Sequence, residues 1–135
     1  MAKTIQLSIV TPEKNVVSGD VSIVMAPGTV GEFGVLVDHT PFLTSLQTGT
    51  VRYTAADGRE ERVFVSGGFA EALPDRVTIL AESAEKKEEI DIQRAEAAKA
   101  RAEKRLAESH RDEVDEARAR AALTRSIQRL NCCSG

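Results

Sequence analysis

The chain has 135 residues, 41% of them hydrophobic and 4% aromatic, with a net charge of -3 and a pI near 5.5. That length suits one medium domain or two small ones, each marginal alone, so a stabilising partner is expected. An acidic chain poor in aromatic side chains gives nucleic acid neither a basic footprint nor stacking platforms, and nucleic-acid binding is excluded from the expectations.

The first half reads as strands. In Lys3 to Thr11, Ile5, Leu7 and Ile9 alternate with Thr4, Gln6 and Ser8, as in a strand with one wet face, and Pro12 ends it. Val21, Ile23 and Met25 repeat the alternation before a turn expected at Pro27-Gly28. Residues 51–54 and 62–65 flank Asp57-Gly58, a dipeptide that tolerates positive φ and favours tight hairpins. The strand 76–80 follows a turn at Pro74-Asp75. About eight to ten short strands of this kind predict an antiparallel β-sandwich.

Gly31 to Gly49, GEFGVLVDHTPFLTSLQTG, is the most distinctive stretch of this half. Two glycines frame Glu32 and Phe33, suggesting a sharp bend with an acidic tip beside an exposed aromatic ring. His39, held extended ahead of Pro41, reads first as a hydrogen-bonded loop histidine. A set of Ser66, His39 and Asp38 has no G-x-S-x-G elbow to support it, so no catalytic residues are expected.

From Ala81 the composition changes to Ala, Glu, Lys and Arg, without Gly or Pro until Gly135. Twelve acids and twelve bases lie between Glu82 and Asn131. Ile92, Ala95, Ala98, Ala102 and Leu106 make a narrow apolar stripe on a first helix, and Ser109 to Arg111 interrupt it. Asp112 then caps a second helix with Ala119, Leu123, Ile127 and Leu130 on one face. The expected fold is thus of two domains, a sandwich over 1–84 and an antiparallel two-helix hairpin over 85–135. Each buried Ala methyl contributes only about 0.8 kcal/mol, against about 1.5 to 3 for a Leu, so the hairpin seam is weak and can open. Four acids crowd 112–116, whereas Arg118, Arg120, Arg125 and Arg129 follow with no acid among them; a freed second helix would offer an acidic partner a basic surface.

No apolar run approaches the roughly 18 to 20 residues needed to span a bilayer, and MAKTIQLSIV lacks the long apolar core of a signal peptide. Adjacent Cys132 and Cys133 cannot build a disulfide framework, and a reduced compartment is expected. Neither of the two histidines adjoins them, so no metal site and no redox role is read for them.

In this order GEFGVLVDHTPFLTSLQTG, VSGGFAEALPDRVTILAE and IDIQRAEAAKARAEKRL closely resemble the epsilon subunit of bacterial F-type ATP synthase, over essentially the whole chain. The resemblance implies a non-catalytic subunit of the central stalk, peripheral at the cytoplasmic face of the bacterial inner membrane. It would be membrane-associated only through the complex, in which it joins the gamma subunit, the c-subunit ring and the alpha and beta subunits. It implies c-ring contacts at Glu32 and Phe33, gamma contacts at His39 and on to Thr44, and inhibitory contacts with beta at Arg118, Arg120, Arg125 and Arg129. The helices would switch between a folded hairpin and an extended form that blocks ATP hydrolysis. Ile90, Asp91, Arg94 and Ala95 match a motif by which some family members bind ATP, with Arg125 and Arg129 as phosphate partners; ATP would be a regulatory ligand and no cofactor is required. From the residues alone, Asp91 reads equally as a helix cap and Arg94 as a surface side chain. The alternative function is a free-standing nucleotide-sensing adaptor.

Overall fold

The computed structural model describes residues 3–108 and 112–134. Strands β1 (Ile5–Val10), β2 (Asn15–Gly28), β3 (Gly31–Val35), β4 (Phe42–Ala55), β5 (Glu60–Leu73), β6 (Arg76–Ala81) and β7 (Ala84–Lys86) precede a short 3-10 turn over Lys87–Glu89 and helices α1 (Ile92–Ala107) and α2 (Glu113–Ser134). The expected interruption at 109–111 lies outside the described residues.

The strands are fewer and longer than expected among the described residues, because three of them run to 14 residues. The sheet runs β1-β6-β5-β4-β2-β3, and a further β1–β2 pairing closes it into a flattened barrel. Closure leaves few free edges. All pairings are antiparallel except β1 with β6. The Asp57-Gly58 hairpin joins β4 to β5 with Thr54 opposite Glu60, and Pro74-Asp75 joins β5 to β6. Pro27-Gly28 is not the turn but the end of β2, and the chain reverses beyond it to pair Gly28 with Gly31. G-E-F-G is accordingly strand β3 rather than a bent tip, and Phe33 packs half-buried against the core.

Alternation decides the core. Ile5, Leu7, Ile9, Val51, Val63, Val65, Val77 and Ile79 point inward and are essentially inaccessible. On β5 the run Val63–Phe64–Val65–Ser66 is buried throughout, because the barrel core covers one face and the helices cover the other. Asp91 caps α1 by accepting from the Arg94 amide at 3.0 Å, and Asp112 caps α2 by accepting from the Asp115 amide at 2.8 Å. Ala95, Ala102 and Ala119 are the buried alanines of the helix pair. The end of α2 lies beside the start of α1, so the two run antiparallel. β7 crosses the boundary expected at 84/85, pairing Ala84, Glu85 and Lys86 with Val65, Phe64 and Val63.

Gly68 allows the close approach of β5 to the end of β6 where the two strands pair. It sits at φ +126°, and a Cβ placed there would lie 2.0 Å from the Leu80 carbonyl oxygen. Gly19 has open space around its Cβ position. Gly68→Ala is therefore expected to cost more than about 2 kcal/mol in denaturant unfolding, and Gly19→Ala no more than about 0.5. Equal stabilities for the two variants would contradict this account of the close approach.

Candidate functional site: the cleft under the helices

At the junction of sandwich and helices, Glu85 comes from β7, Asp91 and Arg94 from the first turn of α1 and Arg129 from α2. Together with Glu89, Ala95, Ala98 and Arg101 they line a cleft of about 390 Å³, within the size range of small-molecule sites. Arg129 Nε donates to Glu85 Oε1 at 2.5 Å, and its guanidinium lies 4.5 Å from the centre of the Phe64 ring. Both ion-pair partners are largely withdrawn from water, with side chains 27% and 34% exposed. The cleft's acids Glu85, Glu89 and Asp91 balance its bases Arg94, Arg101 and Arg129. An anionic ligand would therefore have to draw Arg129 away from Glu85.

The residues expected to hold nucleotide are only partly assembled. Asp91, Arg94, Ala95 and Arg129 meet in this cleft. Ile90 turns away into a small apolar cluster with Phe64 and Cys132, while Arg125 lines a separate cleft with Thr48, Ser66, Glu82 and Thr124. The residue spacing explains the second point: Arg125, Arg129 and Cys132 share the sandwich-facing side of α2, but Arg125 lies one turn nearer the middle of the helix. The expected basic surface of α2 is likewise divided. Arg118 and Arg120 are exposed, Arg120 pairing with Glu116 at 2.8 Å, whereas Arg125 and Arg129 are turned inward.

Cys132 is fully buried on Phe64 and Ile90, a role that reading its composition alone overlooked. The burial pushes its thiol pKa up, opposed in part by Thr50, Arg62 and Lys87. Ser126, also buried, satisfies its hydroxyl by donating to the carbonyls of Ala122 and Leu123 at 3.0 and 2.9 Å.

At the β3 edge of the sheet, Glu32 pairs with Arg52 at 2.9 Å, and both line a cleft with Thr124, Gln128 and Asn131 of α2. Phe33 meets Phe42 edge-on at 5.1 Å, and His39 meets the same ring at 5.0 Å, so one aromatic row connects both expected contact points. His39 Nδ1 lies 2.5 Å from the Thr40 carbonyl oxygen, which requires the proton on Nδ1, and the Thr44 hydroxyl donates to the Ser45 carbonyl at 3.3 Å. Another surface was not foreseen. Phe69 and Leu80, 56% and 55% exposed, face an apolar groove of about 530 Å³ with Val10 and Pro12. Among the described residues no helix is long and apolar enough to cross a membrane, and no cluster of ligating side chains could hold a metal.

Comparison with known proteins matches the whole of this architecture. The family model "ATP synthase, Delta/Epsilon chain, beta-sandwich domain" matches residues 4–87, and "ATP synthase, Delta/Epsilon chain, long alpha-helix domain" matches 88–133. The ATP synthase epsilon chain of Desulforapulum autotrophicum is 57% identical over 131 residues, covering 97% of this chain and 96% of that one. That of Desulfosudis oleivorans is 65% identical over 106 residues, covering 78% and 80% respectively. Among solved structures, a chain of the Euglena gracilis mitochondrial ATP synthase OSCP/F1/c-ring assembly shares the fold with a TM-score of 0.83 at 24% identity, over 93% of this chain and 78% of that one. The chain thus belongs to the ATP synthase delta/epsilon family, as an epsilon-type subunit that carries no catalytic site of its own.

Proposed function

We propose that the chain is mounted by its sandwich on the gamma subunit and c ring of an F-type ATP synthase, and that its helices restrain ATP hydrolysis when they leave the sandwich. The observation that carries this reading is the slenderness of the hold at the end of α2. At the helix end an ion pair stacked on a ring, beside a cluster of Phe64, Ile90 and Cys132, joins α2 to β5 and β7, and the neighbouring seat of α2 on β4 is largely polar, lined by Thr48, Thr50, Thr124, Gln128 and Asn131. Burial of a few such side chains is worth only a few kcal/mol, so release is accessible without unfolding the sandwich. Release also exposes Arg125 and Arg129 on the side of α2 that Arg118 shares, completing a basic surface that docking divides, with Arg120 on the opposite side beside Glu116. Exposed Phe69 and Leu80 form the kind of apolar patch that marks a protein interface, which suits attachment to gamma, while the c ring would meet Glu32 in its pair with Arg52 and the half-buried edge of Phe33. Such a subunit would lie at the cytoplasmic face of the inner membrane without entering it.

ATP enters this reading as a ligand of the docked form. A nucleotide whose phosphates bridge Arg94 on α1 and Arg129 on α2 would stabilise docking by mass action, in competition with Glu85 for Arg129.

Two tests address these claims separately. Loss of the Arg129 pair and its ring contact weakens docking by about 1 to 2 kcal/mol, enough to raise the released fraction roughly five- to thirtyfold. In assembled complexes, Arg129→Ala should therefore change ATP hydrolysis, and deletion after Lys86, which spares β7, should raise it. Identical hydrolysis in wild type, variant and deletion would remove the inhibitory role. By calorimetry on the full chain, Arg94→Ala should weaken ATP binding about tenfold or more, and Glu85→Gln should strengthen it severalfold by freeing Arg129. Isotherms unchanged by both substitutions would reject this cleft as the nucleotide site.

A further inference from the structure

The two cysteines lie next to each other where α2 meets the sandwich, in unequal surroundings. Cys132 is fully buried on Phe64 and Ile90. Cys133 is half-buried at the rim of that cluster, its sulfur 3.9 Å from the Lys87 carbonyl oxygen, and it lines an open cleft of about 440 Å³ with Glu60, Arg62, Lys87 and Glu88. Both belong to α2, which continues through Ser134. Consecutive side chains on a helix diverge by about 100°, because a turn takes about 3.6 residues. Consecutive Cα atoms are about 3.8 Å apart, short of the roughly 4.4 to 6.8 Å usual for a disulfide. These neighbours can be bridged only if their backbone leaves the helix. Cys132 then leaves its place on Phe64. The docked and the bridged states exclude each other.

We propose that Cys132 and Cys133 form a redox-sensitive latch, a vicinal disulfide that closes when α2 is released and keeps it off the sandwich. This goes beyond the absence of any redox role read from the sequence, and it rests on the proposed release of the helices. The oxidant is a low-molecular-weight disulfide. The Cys133 thiolate attacks one of its sulfurs, forming a mixed disulfide and expelling one thiolate. Cys132, once released, gives its proton to solvent and attacks the Cys133 sulfur, expelling the second thiolate. One external disulfide is reduced to two thiols, and the pair of cysteines gives up two electrons. While α2 is docked, burial keeps the Cys132 thiol protonated and shielded, so the second step waits for release. Linkage requires the converse: whatever holds α2 down, including the Arg129 pair, also protects the thiols.

The test uses the full-length chain in glutathione redox buffers, with thiols trapped by alkylation, disulfides identified by mass and docking followed by hydrogen exchange. In reducing buffer Cys133 should alkylate readily and Cys132 slowly. In oxidising buffer an internal bridge should appear together with lost protection in α2 and around Phe64. Arg129→Ala should speed bridge formation about tenfold, in proportion to the larger released fraction. Cys133→Ser should stay docked in every buffer. The latch is overturned if oxidation stops at a mixed disulfide on Cys133, if only disulfides between chains form, if the bridge forms with α2 still protected, or if Arg129→Ala leaves the rate unchanged. Hydrolysis by reduced complexes with and without residues 87–135 tests the regulatory reading independently. A null result there, with bridging still coupled to lost protection, would leave the latch standing without an inhibitory role.

Discussion

The arrangement depends on one contact, the guanidinium of Arg129 laid on Phe64 and paired with Glu85. It is where helix, sheet and the short strand β7 meet. A charge taken partly out of water needs a partner and a polarisable surface, and this one has both. Neither is in excess, so the pair serves as a reversible fastening rather than as part of a core. Phe64 makes this possible by standing on the outer face of β5, between Val63 and Val65, which point into the barrel.

The sandwich and the helices are held by different physics. The barrel is closed by the β1 pairings with β2 and β6 and filled by β-branched side chains, so no part of it moves without loss of ladder hydrogen bonds. The helices meet through Ala95, Ala102 and Ala119, which permit close approach but bury little area. Much of the surface between α2 and β4 is polar, lined by Thr48, Thr50, Thr124, Gln128 and Asn131. Such a surface can meet water again at small cost.

The alternation of β1 and β6, both caps and the alanine seam were legible because each follows from local rules: period two, an Asp accepting from an amide three residues on, and small residues three or four apart. The end of β2 was misplaced because Pro27-Gly28 carries the composition of a turn, while tertiary pairing with β3 and β4 kept it in the sheet. β7 was not foreseen, since Ala84 to Lys86 has no strand pattern and is extended only because β5 accepts it. The cleft was half legible. Asp91, Arg94 and Arg129 could be listed from a motif, but the partnership of Arg129 with Glu85, 44 residues earlier, and the outward placement of Phe64 depend on how β5 lies under α2. Cys132 was not legible, because its spacing of seven from Arg125 and three from Arg129 puts it on a side of the helix that reads as a basic surface, and only the sheet beneath makes that side buried.

The central claim is that the helices are fastened separately from, and more weakly than, the barrel. Native-state hydrogen exchange on the reduced full-length chain measures this directly, amide by amide. The account predicts that α1 and α2 exchange together through an opening that costs several kcal/mol less than the one exposing β1, β5 and β6. A single opening free energy shared by helices and strands would contradict it.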